Sequence, residues 1–309
     1  MSFLYFCSVM ANKTVIGHLA AAGAYAIFGF NILTCRAVGV DGTISPMLLF
    51  TFRAGGAALL FWLASAFLPK EKIDKGDYLK IFIASMLGLF LTQIVFLKAV
   101  TIATPFDCAI ITSFTPIFTM LVAAIAIKEP ITWRKTGGVL LSLAGVLALI
   151  FNSARSTDGA THTSPLGVVL MLCNGLFFAM YLGIFRPLIM KYSVVTFMKW
   201  MFLFSLLVSL PFSGRDLVMA NYSALPLNII LDVLFTVVFA TFIAYFLIPV
   251  AQKNIRPTII SMYAYLQPMI AAAVGIYLGM DHFSLIKLLS AVMVFTGVWI
   301  VQHSRSRIG

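Results

Sequence analysis

The residues that could do chemistry in this sequence are polar side chains that lie within long apolar segments. Arg53 and Lys199 each lie in such a segment, and His18 lies near the start of another. A charged side chain in a membrane-spanning helix is costly and is therefore a candidate functional group. Two alternatives stay open, because Arg53 could snorkel or pack between helices, and Lys199, beside Trp200, could anchor its helix at the interface. We assign Arg53 and Lys199 structural or gating roles.

The motifs of several enzyme classes are missing from the sequence. It contains no HExxH, GxSxG or GxxxxGK[ST] segment, so the signatures of zincins, α/β-hydrolases and ATP-driven pumps are absent. The four cysteines show no CxxC spacing, and those in apolar segments are best interpreted as small core residues. The sequence therefore predicts a protein that is not an enzyme, with no catalytic residue, no metal site and no cofactor.

The composition indicates a membrane protein. Of the 309 residues, 61% are hydrophobic and 10% are charged, whereas soluble domains carry about 25% charged residues. Such a chain could not cover a soluble globule with polar groups, but lipid accepts apolar helices of about 20 residues. The net charge of +11 arises from Lys and Arg residues between apolar runs, which favours a topological role over nucleic-acid binding. We predict an all-α polytopic membrane protein whose partners are the lipid bilayer and a small-molecule substrate.

The apolar runs predict ten transmembrane helices, over residues 14–36, 44–68, 78–98, 104–127, 136–151, 164–186, 193–212, 228–250, 257–279 and 284–303. Turn residues such as Asp41-Gly42-Thr43 and Ser213-Gly214-Arg215-Asp216 mark the connections between them. Residues 1–9 are predicted to be a weakly ordered tail. Gly138 and Ser142 have the spacing of small residues that allows two helices to pack closely.

The distribution of basic residues predicts the orientation. Most Lys and Arg residues fall in alternate loops, around residues 70–80, 128–135, 186–191 and 253–256. Because cytoplasmic loops carry an excess of basic residues, these loops and both termini are predicted to be cytoplasmic. This orientation requires an even number of spans, which ten satisfies.

The two halves of the chain resemble each other at a fixed offset of 152 positions. Equivalent residues include Ala99 and Ala251, Pro105 and Pro257, Pro116 and Pro268, and Glu129 and Asp281. The first and sixth predicted helices match at an offset of 150. Since each half has an odd number of spans, the halves at 14–151 and 164–303 are predicted to be inverted five-helix repeats. Inverted repeats are typical of secondary transporters, with the substrate site between the halves.

Four segments of the first half also resemble a known family. The segments that look like the EamA domain are Phe96-Leu97-Lys98-Ala99-Val100, Pro116-Ile117-Phe118, Lys128-Glu129-Pro130-Ile131-Thr132 and the run from Gly138 to Val146. This domain occurs twice in ten-helix members of the drug/metabolite transporter superfamily. The resemblance implies a transporter of the bacterial inner membrane, with both termini cytoplasmic. It also implies transport, often export, of small organic metabolites such as amino acids.

The repeat predicts where the substrate binds. A cavity between the halves should be lined by equivalent polar residues, and three such pairs occur: Asn31 with Tyr181, Gln93 with Tyr245, and Thr115 with Gln267. Thr115 and Gln267 directly precede Pro116 and Pro268, and Tyr263 lies one turn before Gln267 on the same helix face. We predict that these seven polar residues bind the substrate and that the two prolines shape the helices. Ordinary hydrogen bonds between helices remain the alternative.

These observations predict a transporter that works by alternating access. No acidic residue lies clearly at mid-membrane, which favours a facilitator or exchanger without a buried carboxylate switch, so the mechanism is expected to be secondary-active or facilitative. Export, the favoured direction, is what the family resemblance implies. The alternative is a non-transporting membrane scaffold or a lipid-handling protein. A homodimer and a monomer are both left open.

Overall fold

The computed structural model describes residues 2–103, 108, 111–112, 114–154, 164–220, 222, 225–267, 269–270 and 285–304. Regular structure in this part of the chain is entirely helical. The helices of the first half are α1 (Ser2–Asp41), α2 (Pro46–Ala66), α3 (Asp77–Ser85), α4 (Thr92–Ile102), α5 (Thr115–Ala126) and α6 (Trp133–Ala154). Those of the second half are α7 (Pro165–Ile184), α8 (Arg186–Lys191), α9 (Val194–Met219), α10 (Leu227–Val237), α11 (Ala244–Asn254), α12 (Pro257–Met262) and α13 (Leu285–Gln302).

Six helical runs are long and apolar enough to cross a membrane: Lys13–Gly39, Pro46–Ala66, Asp77–Ile102, Pro165–Ile184, Val194–Met219 and Leu227–Asn254. Two shorter apolar helices cover Thr115–Ala126 and Leu288–Val301. The chain is therefore an all-α polytopic membrane protein, as predicted. The spans predicted at 104–127 and 257–279 lie partly outside the described residues.

Two predicted helix boundaries are wrong. The segment Ser213-Gly214-Arg215-Asp216 was predicted to be a turn but belongs to α9, which continues to Met219. Contacts with α2 stabilise this extension, because Thr51 donates a hydrogen bond to Ser213 over 2.9 Å and Ser45 donates one to Asp216. The predicted tail is also helical from Ser2 onward, since extending an existing helix costs less than nucleating one.

Two π-helical segments interrupt long spans at equivalent places. Met86–Leu91 joins α3 to α4, and Val238–Ile243 joins α10 to α11. Their first and last residues are each 152 positions apart, which is the offset found in the sequence repeat. A π turn leaves backbone carbonyls without their usual partners and is frequent at functional sites. Hydroxyl groups of Thr92 and Thr241 bond to carbonyls five residues earlier and satisfy this need.

The two halves exchange their first helices. Helix α1 packs against α11 of the second half, and α7 packs against α4 of the first half. A glycine permits close approach in both cases. A Cβ atom on Gly17 would lie 2.8 Å from the Cβ of Asn254, and one on Gly167 would lie 3.1 Å from the Cβ of Ala103. Because Gly17 and Gly167 are equivalent at the offset of 150, these contacts are repeated in the two halves.

Helices α6 and α13 form another close pair between the halves. Ser142 donates a hydrogen bond to the carbonyl of Val294 over 3.1 Å, and the two residues are 152 positions apart. A Cβ atom on Gly138 would lie 2.7 Å from the carbonyl oxygen of Gly297. The close packing predicted from Gly138 and Ser142 is thus confirmed.

The basic loops lie together at one end of the helix bundle, which we call the basic end (residues 70–80, 128–135, 186–193 and 253–256). The residues around Gly17 of α1 and the end of α13 are there too, since Gly17 contacts Asn254 and Arg256 donates a hydrogen bond to the carbonyl of Ser304 over 2.9 Å. The described parts of the basic loops lie on one side, as the charge distribution predicts.

Candidate functional site

A cavity that is open to solvent lies between the two halves, and the empty space within it is about 590 Å³. Helices of both halves form its wall, which is largely apolar with polar groups interspersed. The lining residues are Tyr25, Phe28, Asn31, Ile32, Arg53, Thr92, Gln93, Phe96, Thr112, Thr115, Asn174, Phe178, Tyr245, Ala264 and Gln267.

Helix α2 brings the only charged side chain among these described lining residues into the cavity wall. The helix starts at the cap Ser45, whose side chain accepts from the backbone N–H of Leu48. Arg53 is eight residues further along, which corresponds to about 12 Å of helix. Its side chain is 1% exposed, donates to Thr241 over 2.8 Å and donates to the sulfur of Cys35 over 3.4 Å. Arg53 is therefore held deep inside the bundle and does not snorkel.

The bonds around Arg53 also fix two other residues of the site. The thiol of Cys35 donates to the side-chain oxygen of Asn31 over 3.3 Å, so a chain of bonds runs from Arg53 through Cys35 to Asn31. Thr241 belongs to the π segment Val238–Ile243. The irregular turn of the second half thus positions a side chain of the first half.

Gln93 and Tyr245 meet across the boundary between the halves. The Nε2 atom of Gln93 donates to the hydroxyl of Tyr245 over 2.9 Å, and both residues are 4% exposed. They are one of the pairs predicted from the repeat. A second bond between halves lies close by, where the amide of Asn174 donates to the carbonyl of Thr92 over 2.9 Å. Direct polar contacts therefore join the halves at the cavity wall.

Thr115 and Gln267 also line the cavity, next to interruptions in their helices. Helix α5 begins at Thr115, after tight turns in which Phe114 donates to Ile111 and Ile117 donates to Phe114. The continuous helix predicted across Pro116 is wrong, because Pro116 lies in the first turn of α5, where no N–H donor is required. On the other side, a 3₁₀ turn at Tyr263–Tyr265 precedes Gln267, and Pro268 lies outside the described residues.

Tyr181 and Tyr263 are not among the lining residues. The ring of Tyr181 packs against the backbone at Gly88, where an added Cβ atom would lie 2.6 Å from it, and its hydroxyl is buried. The hydroxyl of Tyr263 lies 2.7 Å from the Nδ1 atom of His18 on α1. These two tyrosines therefore contact the opposite half outside the cavity.

Lys199 also lies away from the cavity. Its ammonium donates to Ser65 over 2.7 Å and lies 4.9 Å from the centre of the Trp62 ring. Its helix, α9, begins only a few residues earlier at Val194. This environment fits the interpretation of Lys199 as an anchor at the membrane interface.

Sequence reasoning missed several lining residues, including Tyr25, Thr92 and Asn174. Comparison of the two halves selects only positions that are polar in both. At the offset of 150, Asn174 corresponds to Ala24, so it was not selected. Its amide in the middle of an apolar span was a usable signal, because such groups are costly in a membrane.

Ion pairs at the basic end join the halves on one side of the cavity. Lys191 lies 2.6 Å from Asp74 and 2.5 Å from Asp77. These carboxylates, Asp74 first, hold the pKa of Lys191 above its ordinary value. Burial raises the pKa of Glu71, but the hydrogen bonds that Glu71 accepts from Ser193 outweigh this effect, and its pKa lies below the ordinary value.

A buried ion pair lies at the same end. Lys135 and Glu129 are 2.6 Å apart, with side chains 1% and 5% exposed. The hydroxyl of Thr258, which belongs to the second half, donates to the other oxygen of Glu129 over 3.3 Å. The pair therefore joins the loop between α5 and α6 to the start of α12.

The fold and the site together define a class of protein. A polytopic helical membrane protein with a cavity between two related halves, lined in part by polar residues and near interrupted helices, has the features of a membrane transporter. The comparison with known proteins agrees. The model of the EamA-like transporter family matches residues 15–151 and again 165–302. The chain belongs to this family.

Individual relatives are distant but cover most of the chain. It is 22% identical over 299 residues to the uncharacterized transporter YetK of Bacillus subtilis (strain 168), which covers 94% of this chain and 88% of the relative. It is 25% identical over 266 residues to the uncharacterized transporter YdfC of the same organism, over 84% and 82% of the two chains. A protein solved by crystallography aligns with a TM-score of 0.69 and 16% identity, over 94% of this chain and 96% of the other. This last likeness shows the fold.

Proposed function

We propose that this protein moves a small organic metabolite, such as an amino acid or a related compound, across the bacterial inner membrane by alternating access. Export is the favoured direction, by a secondary-active or facilitative mechanism without catalysis. The cavity between the halves carries this proposal, because polar residues of both halves line it. A scaffold or a lipid-handling protein would not need such a site.

Contacts at both ends of the cavity suggest how access could alternate. At the basic end, Lys191 joins α8 to Asp74 and Asp77. At the other end, Ser45 and Thr51 of α2 donate to Asp216 and Ser213 of α9. In our proposal these two sets of contacts break in turn, while the two halves, as inverted five-helix repeats, rock about the site. The basic end, with both termini, faces the cytoplasm.

Substitutions at the site test the proposal. A screen of radiolabelled amino acids and carboxylic acids with proteoliposomes first identifies a transported compound. Gln267→Leu and Thr115→Val each remove a hydrogen-bond partner, which costs about 1–3 kcal/mol for a buried polar group. Apparent affinity should fall roughly tenfold to a hundredfold, with little change in thermal stability.

Gln252 provides a matched control on the same type of side chain. It is buried outside the cavity, and its Nε2 atom donates to the carbonyl of Leu182 over 3.1 Å. Gln252→Leu should lower thermal stability and leave the affinity of the folded fraction unchanged. If Gln267→Leu behaves like Gln252→Leu, the residue is structural and the proposed site is wrong.

The orientation has its own test. Single cysteines are placed within residues 70–77 and 152–163 of a cysteine-free variant, in intact cells. An impermeant maleimide should label only the second position. Labelling within 70–77 would contradict a cytoplasmic basic end.

A further inference from the structure

The cavity contains a positive charge, on Arg53, that forms no ion pair with a described residue. The two hydrogen bonds from Arg53 both go to neutral groups, Thr241 and Cys35. Ion pairs in the described part of the chain involve only Lys80, Lys135 and Lys191, so none reaches Arg53. Asp232, on a helix that packs against α2, makes no ion pair with it. A buried charge without a counterion is unfavourable. Binding of an anion beside Arg53 would therefore be favourable.

A second polar group of the cavity, the hydroxyl of Tyr25, has no hydrogen-bond partner in the described part of the chain. This hydroxyl is buried, although Tyr25 lines the cavity and is 2% exposed. A buried hydroxyl usually has a partner, and one without it indicates a missing water or ligand. In addition, α5 begins at Thr115 in the cavity wall, so the positive end of its dipole lies there.

The remaining wall suits an apolar molecule. Phe28, Phe96 and Phe178 line the cavity, and Phe28 makes edge contacts with the rings of Tyr25 and Tyr245 at 5.7 and 5.6 Å. The described lining residues include no Asp or Glu. Among the described lining residues, a substrate ammonium group would therefore find neutral oxygen atoms but no carboxylate.

We infer that the cavity selects an amphipathic organic anion, with its carboxylate on Arg53 and Tyr25 and its apolar body against the phenylalanine side chains. This inference rests on the proposed function and narrows its substrate class. A guanidinium offers parallel N–H donors that match a carboxylate. Because the described lining residues supply one positive charge and no negative one, a simple carboxylate should bind better than a zwitterion with the same body.

Three probes of similar shape test this selectivity on purified wild-type protein in detergent. These are 3-phenylpropionate, its neutral amide 3-phenylpropanamide, and the zwitterion L-phenylalanine. Dissociation constants are obtained from ligand-dependent shifts in melting temperature. We expect the carboxylate to bind at least tenfold more tightly than the amide and more tightly than the zwitterion. Binding of the amide equal to or tighter than that of the carboxylate, or no stabilisation by the carboxylate, would overturn the inference.

Variants assign the effect to the proposed residues. Arg53→Gln should abolish the preference for the carboxylate, and Tyr25→Phe should reduce it. Lys199→Gln removes an equal charge outside the cavity and should preserve the preference for the carboxylate. If Arg53→Gln does not fold, binding of the three probes to the wild type and to Tyr25→Phe still tests the inference. Preference retained in Tyr25→Phe and in folded Arg53→Gln would show that the anion lies elsewhere.

The inference and the proposed function can fail separately. Flux of 3-phenylpropionate through proteoliposomes is measured beside binding. Selective binding without flux would refute transport of this compound while the anion site stands. Flux of neutral or cationic compounds that is unchanged in Arg53→Gln would support transport and refute the anion site.

Discussion

The hydrogen bond between Gln93 and Tyr245 should contribute measurably to the stability of the bundle. Tyr245→Phe keeps the ring, which packs against Phe28 and Phe202, and removes only the hydroxyl that accepts from Gln93 over 2.9 Å. Both side chains are 4% exposed, so the Gln93 amide is left buried and unpaired. Such a loss costs about 1–3 kcal/mol.

Tyr25 is a control within the same cavity. Its hydroxyl is also buried but has no partner in the described part of the chain, so Tyr25→Phe should leave stability unchanged or raise it slightly. The double variant Gln93→Leu with Tyr245→Phe removes both polar groups. Its loss in free energy of unfolding should be about 1 kcal/mol smaller than the sum of the losses in the two single variants.

The measurement is reversible unfolding in mixed detergent micelles, which gives a free energy for each variant. Equal effects of Tyr245→Phe and Tyr25→Phe would refute the reasoning, because only one of the two hydroxyls is bonded. Strict additivity of the two single variants would do the same, since residues that contact each other should be coupled.

Three further predictions concern packing and charge. Gly138→Ala should be about 1–3 kcal/mol less stable in mixed-micelle unfolding than Gly137→Ala, because the added methyl group meets backbone in one case and nothing within 4 Å in the other; equal stabilities would contradict the packing argument. Lys135→Met breaks a buried ion pair and should cost about 3–5 kcal/mol in the same assay. Lys80→Met removes a lysine whose side chain is 63% exposed, and Asp77 keeps its contact with Lys191, so it should cost at most about 1 kcal/mol. The pKa of Glu71 is lowered in the folded state, so the Glu71 carboxylate should stabilise the protein above its ordinary pKa of 4.5, and this stabilisation should be lost as the pH falls. The melting temperatures of the wild type and Glu71→Gln should therefore converge under acid. A constant difference between them from pH 7 to pH 4 would contradict this prediction.

The sequence could predict the class of fold because lipid imposes it. Composition and apolar run lengths alone required membrane-spanning helices, and the offset of 152 located the equivalent positions of the two halves. It could not predict the π segments, because Met86–Leu91 and Val238–Ile243 contain no residue that distinguishes a π turn from ordinary helix. Nor could it predict that α9 continues through Ser213-Gly214, which depends on contacts with α2 that are distant in sequence.

Comparison of the two halves predicted only those parts of the candidate site in which the halves are alike. Gln93, Thr115, Tyr245 and Gln267 are polar in both halves and were found by comparing them. Arg53 was recognised as an intramembrane charge, but its burial depends on Thr241 of the other half. A position that is polar in one half alone gives no signal in such a comparison.

That asymmetry is informative about the substrate. The helices α2 and α9 begin at equivalent caps, Ser45 and Ser193, each of which accepts from the backbone N–H three residues later. Arg53 is the eighth residue after the first cap and Met201 the eighth after the second. Two related halves with an arginine in each would bring like charges towards one cavity, and these would repel in a medium of low dielectric constant. Met201 is buried and is not among the described lining residues, so Arg53 supplies the one charge of the described cavity wall. A molecule with a single anionic group and an apolar body can therefore bind in one orientation, with the anionic group on Arg53.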